Sequence, residues 1–203
     1  GNRTFYNLMP HAEYRNKTRN QKWDMMLNGE LYLTGLNSTD YKVSASLQRL
    51  ISKKIGYLQL GFQNINRTPS FIFDNRSSFY LLKTTTDFEK ENTTLLYASL
   101  LQPANKLKLT GHYFLLTNYT YIKNFYELSQ ESSLFNVLQI ALEKTIKVGK
   151  KWNWHSEIYF QQVIGNAPVN LPLIFTRNRF AYEGPTKFKN LDIAMGLEAR
   201  YHT

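Results

Sequence analysis

The sequence predicts an all-β chain, a transmembrane antiparallel up-and-down β-barrel of which these 203 residues supply a part, about nine spanning strands by pattern matching. Three observations carry this expectation. In the last stretch, Leu191, Ile193, Met195, Leu197, Ala199 and Tyr201 alternate with Asp192, Ala194, Gly196, Glu198, Arg200 and His202. Side chains on a strand point to opposite faces with period two, so one face is apolar and the other tiny or ionised. The same alternation recurs along the chain between short polar turns. Its length fits the roughly 9 to 11 tilted residues of a strand crossing an outer membrane, whereas soluble strands average about 5 to 6. A long apolar face suits lipid, and the opposite face suits a wet lumen.

Composition bounds the alternatives. The length allows one domain with a sizeable core. There is no cysteine, so no disulfide contributes. A formal net charge of +10 and a pI near 9.6 invite nucleic acid, anionic lipid or anionic solutes. No stretch of about 18 apolar residues exists, which excludes a helical span. Mean hydropathy of -0.44 is compatible with barrel strands because every second residue is polar. Gly1 to Pro10 has no apolar leader segment, and the chain stops at His202-Thr203 directly after a spanning pattern. Residues 1–203 are therefore expected to be one β-barrel domain, an interior fragment of a larger barrel.

Residues 1 to 21 carry Arg3, His11, Arg15, Lys17 and Arg19 with no sustained period. They read as a basic loop, exposed or touching lipopolysaccharide phosphate. Alternation begins with Trp23, Met25, Leu27, Gly29, Leu31, Leu33 and Gly35 against Asp24, Met26, Asn28, Glu30, Tyr32 and Thr34. Asn37-Ser38-Thr39-Asp40 is a turn of residues that bond their own backbone. Tyr41, Val43, Ala45 and Leu47 then oppose Lys42, Ser44, Ser46 and Gln48. After a basic turn at Ser52-Lys53-Lys54, Leu58, Leu60 and Phe62 oppose Tyr57, Gln59 and Gln63. Strands joined so tightly must be antiparallel neighbours.

Residues 64–92 hold Thr68-Pro69, the tuft Phe71-Ile72-Phe73 and a strand-like piece from Phe79 to Thr86. If short turns share one side of the membrane, Phe79 to Thr86 does not cross, and 64–92 is one long extracellular excursion. Leu95 to Leu101, a turn at Pro103-Ala104-Asn105, and Leu107 to Leu115 form the next hairpin. Tyr119, Tyr121, Phe125 and Tyr126 bunch beyond it, as a headgroup-level girdle or a packed aromatic loop. Leu138, Ile140 and Leu142 precede the turn Val148-Gly149-Lys150-Lys151, and Trp152, Trp154, Ile158 and Phe160 follow it. Residues 165 to 176 read as a loop because Pro168 and Pro172 exclude a central strand. Arg177 to Tyr182 is a shorter strand, turned at Gly184-Pro185-Thr186 into the last one.

Asn170-Leu171-Pro172-Leu173, Phe180-Ala181-Tyr182-Glu183 and the final Leu191 to His202 resemble the putative porin family of the Bacteroidota. So do Asn118-Tyr119-Thr120-Tyr121 and Val137-Leu138-Gln139-Ile140-Ala141-Leu142. The resemblance extends over most of residues 90 to 203 and more loosely to the earlier hairpins. It implies an outer-membrane barrel of transport function, larger than this chain, and supplies no catalytic or substrate residues.

Enzymatic chemistry has no motif here. The four histidines, His11, His112, His155 and His202, are dispersed, with no metal-binding spacing and no Walker or Gly-x-Ser-x-Gly loop. Ser156 falls on the opposite face from His155 and Glu157, so His155 cannot activate it. The sequons starting at Asn2, Asn16, Asn37, Asn66, Asn75, Asn92 and Asn118 are expected coincidences of an Asn- and Thr-rich chain. Inward faces mix both signs of charge, which argues against a nucleic-acid groove.

The expected function is passive diffusion of small polar solutes through the bacterial outer membrane, with no cofactor, no metal and no enzymatic activity. Lumen-lining candidates are Lys42, Gln48, Lys108, His112, Gln139, Glu143, His155, Glu157, Asp192, Glu198 and Arg200. With both signs present, selectivity should be weak and lean toward anions through the overall charge. Membrane-interface candidates are Trp23, Tyr119, Tyr121, Trp152, Trp154 and Tyr201. Expected partners are outer-membrane lipid and lipopolysaccharide, small polar solutes and protein partners in an envelope complex. Two alternatives stand beside this: a plugged or structural barrel serving as a subunit of such a complex, and a soluble β-sheet carbohydrate-binding protein. An outer-membrane hydrolase is a more distant one.

Overall fold

The computed structural model describes residues 6–20, 22–74, 88–185 and 190–203. It contains β1 (Asn7–Leu8), β2 (His11–Lys17), β3 (Trp23–Leu31), β4 (Thr34–Gly35), β5 (Tyr41–Ser52), β6 (Gly56–Arg67) and β7 (Glu91–Gln102). There follow β8 (Leu107–Thr117), β9 (Tyr119–Lys123), β10 (Glu127–Glu131), β11 (Phe135–Lys147), β12 (Trp152–Ile164), β13 (Ile174–Pro185) and β14 (Asp192–His202). Ten strands form one antiparallel sheet in the order β14-β13-β12-β11-β8-β7-β6-β5-β3-β2. Chain order and spatial order coincide, apart from two small excursions, β1 with β4 and β9 with β10. This is the expected all-β meander. Among the described residues the sheet is open, because β2 and β14 are its two edges and do not pair with each other.

Turn chemistry puts all the tight connections at one end. The β5–β6 connection closes with the Ile55 N–H donating to Ser52 Oγ at 3.1 Å. It exits through Gly56 at φ +95°, where a Cβ would collide with the Leu101 carbonyl, so only glycine fits there. Pro103 to Asn105 makes a single 3-10 turn ending in Lys106 in the left-handed region. Val148 N–H bonds the Trp152 carbonyl at 3.0 Å across the β11–β12 turn. The opposite end carries the long connections: 32–40, 68–90, 118–134 and 165–173. β6 and β7 pair from Tyr57↔Leu101 to Arg67↔Glu91, so the segment between them leaves and re-enters the sheet at the same end.

Several boundaries differ from the sequence reading. His11–Lys17, expected to be loop, is a tenth strand of the main sheet, paired with β3 from His11↔Glu30 to Lys17↔Asp24. Its outward positions are Ala12, Tyr14 and Asn16, with one large apolar side chain among them, so the alternation is invisible. Backbone pairing and the Arg15–Asp24 ion pair at 2.6 Å hold it instead. The run from Trp23 to Gly35 is broken after Leu31, since Thr34–Gly35 pairs with Asn7–Leu8 in a separate small sheet. Residues 64–67 and 91–92 of the expected excursion are strand, as are 174–176 and 184–185. Polar outward residues such as Asn64, Asn92 and Thr176, and the small Gly184, interrupt the apolar alternation at these strand ends. The Phe79 to Thr86 piece and Thr186 lie outside the described residues.

Registers make the two faces continuous across all ten strands. Opposed residues such as Leu27↔Ala45, Ala45↔Phe62, Phe62↔Leu96 and Ile140↔Phe160 share one face. On the other, Gly61 lies opposite Tyr97. A methyl group at Gly61 would strike the Tyr97 ring, which covers the glycine. Gly61→Ala is therefore expected to displace Tyr97 and cost about 1–3 kcal/mol. Urea titration of the folded protein in lipid checks this, and Gly111→Ala, where a Cβ meets nothing within 4 Å, is the control.

Candidate functional site

The register places Lys42, Gln48, Lys108, His112, Gln139, Glu143, His155, Glu157, Asp192, Glu198 and Arg200 on one and the same sheet face. Strand parity and pairing follow from backbone geometry, so a polar residue on any strand joins those on its neighbours. The face also holds Glu30, Arg177, Arg179 and Glu183, which the sequence reading did not single out. All four stand in the same parity as their candidate neighbours; Arg177 and Arg179 lie within the strand expected from Arg177 to Tyr182, and only Glu183 lies beyond its expected end.

Charge on this face is interleaved and paired. Lys42 lies 3.6 Å from Glu30 and Lys108 2.8 Å from Glu143. Glu198 bridges two arginines that face each other across β13 and β14, Arg177 at 2.8 Å and Arg200 at 2.6 Å. Arg177 also reaches Glu157 at 3.9 Å. Gln139 sits between His112 and Gln161 and lines a shallow groove with Tyr159, Arg177 and Arg200. Gln48 lies opposite Asp24 and Gln59, and Asp192 lies at the short-turn end opposite Pro185.

His155 does not pair with Glu157. Its Nδ1 lies 3.1 Å from Thr145 Oγ1 and its Nε2 3.1 Å from Glu183 Oε1. Glu157 instead accepts from the Tyr159 hydroxyl at 3.3 Å. Hydroxyl, imidazole and carboxylate follow one another here in the order of a nucleophilic relay. The surrounding backbone N–H groups belong to the sheet ladder, however, and supply no oxyanion pair. Ser156 points to the opposite face, across from Lys144 and Asn178. The relay is a paired element of a polar wall.

The other face is apolar and exposed. Leu27, Val43, Leu60, Leu96, Leu109, Ile140, Ile158 and Leu197 all stand out into the surroundings. Along β12 the apolar positions Trp152, Trp154, Ile158, Phe160 and Ile164 are exposed, whereas Asn153, His155, Glu157, Tyr159 and Gln161 are half-buried. The buried apolar residues, Phe135, Val137, Ala141 and Ala181, all belong to the polar face. So does the buried cross-strand pair Ser99 and Thr110, bonded at 3.2 Å. A single-layer sheet whose polar face is the more enclosed one curves around that face.

Trp23, Trp152 and Trp154 occupy the short-turn end of the apolar face, and Tyr201 its other end beside Thr176. Trp152 stacks on Phe180 with centroids 5.0 Å apart and meets Tyr182 edge-on at 5.4 Å. Tyr119 and Tyr121 are placed differently. They belong to the β9–β10 hairpin, and the Tyr119 ring packs edge-on against Phe135 at 5.8 Å. Phe135 is 1% exposed and faces the polar side, so the root of this hairpin folds over that side. Thr120 N–H donates to Glu91 Oε1 at 3.1 Å and Gln130 Nε2 to the Glu89 carbonyl at 2.7 Å. The chain reverses into the hairpin at Asn118, φ +55°, a residue that tolerates the left-handed region.

A neighbouring knot ties the long-loop end together. Asp40, 4% exposed, accepts from Thr68 N–H and Oγ1 at 2.9 Å, from Lys90 Nζ at 2.6 Å and from Asn37 Nδ2 at 3.1 Å. Burial pushes its carboxyl pKa up, but the bonds from Lys90, Thr68 and Asn37 together outweigh this and hold it below the ordinary carboxylate range.

These features define a class: an antiparallel β protein turned inside out, apolar outward and charged inward, with tight turns at one end and long loops at the other. Residues 3–203 match the family described as putative porin, and the chain belongs to that family. No curated protein and no solved structure gives a significant match. Membership agrees with a non-enzymatic transport or structural protein.

Proposed function

We propose that this chain is part of the wall of a bacterial outer-membrane β-barrel through which small polar solutes diffuse passively. The inverted burial supports this most directly, because an exposed apolar face some ten strands wide is costly in water and favourable in lipid. The curved polar face lines the lumen, the tight turns face the periplasm and the long loops face outward. In planar bilayers the full-length protein is expected to give discrete conductance steps that scale with salt. A folded protein that inserts and stays silent would overturn the open-pore reading.

Lumen charges are interleaved, so selectivity is weak. The excess positive charge lies elsewhere: at the short-turn end, residues 18–22, 49–55, 103–106 and 144–151, which include the adjoining ends of β5 and β11, carry Lys and Arg and no Asp or Glu. The anion lean therefore comes from this basic mouth and should fade as salt screens it. Replacing Lys108, Arg177 and Arg200 together by Gln leaves their glutamates unpaired on the wall, and reversal potentials should move toward cations. Unchanged potentials would contradict the lumen assignment.

The β9–β10 hairpin favours a second reading, a narrowed or plugged barrel acting within an envelope complex. Deleting residues 119–131 is then expected to enlarge the conductance steps or to open a silent protein.

A further inference from the structure

We infer that the short-turn border of the apolar face is a binding site for anionic phospholipid headgroups, a proposal that rests on the membrane reading above. Two cation–aromatic pairs stand on this border. The Arg49 guanidinium lies 4.6 Å from the Trp23 ring centroid, and Lys151 Nζ 5.6 Å from that of Tyr182. A third cation, Lys144, sits on the apolar face itself, opposite Leu107 and Ser156. Its Nζ donates to the Asn105 carbonyl at 2.8 Å, and Lys151 Nζ to the Pro185 carbonyl at 2.7 Å. Each ammonium has three donors and spends one of them on these carbonyls, so it can serve a phosphate with the others.

Location selects the ligand. A ring such as Trp or Tyr with a cation beside it matches the level where acyl chain gives way to phosphate. The border lies at the end assigned to the periplasm, where the leaflet consists of glycerophospholipid, whereas lipopolysaccharide phosphates would meet the long-loop end. The neighbouring connections add further Lys and Arg with no acidic residue. Zwitterionic headgroups would place an ammonium against this positive surface. Anionic ones meet it with uncompensated phosphate.

Residues 1–203 hold three tryptophans, Trp23, Trp152 and Trp154, all at this border, so once any tryptophan outside these residues is replaced by phenylalanine, intrinsic fluorescence reads the border alone. The full-length protein would be placed in vesicles containing brominated phosphatidylglycerol or brominated phosphatidylcholine at graded mole fractions. We expect the anionic quencher to be about fivefold more effective, and 0.5 M salt to shrink that advantage. In the variant Arg49→Gln, Lys144→Gln, Lys151→Gln the two quenchers should become equivalent. Equal quenching in the parent protein, a preference insensitive to salt, or one retained in the folded triple variant would each overturn the proposal. Quenching by neither lipid would reject the membrane reading itself. If the triple variant does not fold, the salt dependence in the parent protein decides.

Discussion

Ile140→Lys is expected to destabilise the protein in lipid by about 2–4 kcal/mol, while Gln139→Lys, one residue away, should change stability by about 1 kcal/mol or less. Ile140 lies midway along β11, opposite Gly111 and Phe160 on the apolar face, and is 41% exposed. In a water-soluble protein an isoleucine so exposed could become lysine at little cost. In hydrocarbon the ammonium has no water and no partner, and the long stem must carry it to an interface or into the lumen. Gln139 faces the polar side, where Glu157 shares its groove and solvent solvates a new cation. The comparison thus inverts the usual rule about exposed residues. Urea-induced unfolding of both variants in lipid vesicles measures the difference, and equal effects would mean that the apolar face does not meet lipid.

Asp40→Ala should loosen the long-loop end by about 3 kcal/mol, the scale for removing one partner of a buried ion pair. The substitution leaves Lys90 with the Ser38 carbonyl as its remaining partner and frees Thr68 N–H, so the connections 32–40 and 68–90 lose most of their common anchor. Glu91, 7% exposed and bonded to Thr120 N–H and Arg67 Nε, stands next in the chain, so the β9–β10 hairpin should loosen with it. Acid should imitate the mutation. Because the folded-state pKa of Asp40 is depressed, its stabilisation is complete above the unfolded value of about 3.9 and is lost as pH falls through the lower folded value. Hydrogen exchange at pH 6 should show the loops of Asp40→Ala deprotected and the sheet unchanged. Protection equal to the parent's would show that the knot does not hold the loops.

Strands with an apolar face along their whole length, such as β14 with Ile193 to Tyr201, were legible because every second residue is apolar. Strand ends and the edge strand β2 were not. Asn64 donates to Asn92 at 3.1 Å and Thr94 at 2.7 Å on the outer face, so the sheet continues where the apolar pattern has already stopped. Backbone pairing needs no particular side chain there. The same parity rule that located each strand also located the polar face, which is why Lys108, His112, Gln139 and Glu143 fall together. Ion partners were not legible, since His155 chose Glu183 across the sheet over Glu157 on its own strand. The fold of Tyr119 against Phe135 was equally hidden, because a positive-φ asparagine decides which way the hairpin leans.

The chain has no native cysteine, which allows its inverted organisation to be read residue by residue. Single cysteines would be placed at 138 to 143 along β11 in the protein reconstituted in vesicles and exposed to a membrane-impermeant, water-soluble thiol reagent. The account predicts reaction at 139 and 143, a slower one at the enclosed position 141, and protection at 138, 140 and 142. Uniform labelling, or labelling of the even positions, would contradict a lipid-facing apolar side and a water-filled polar one.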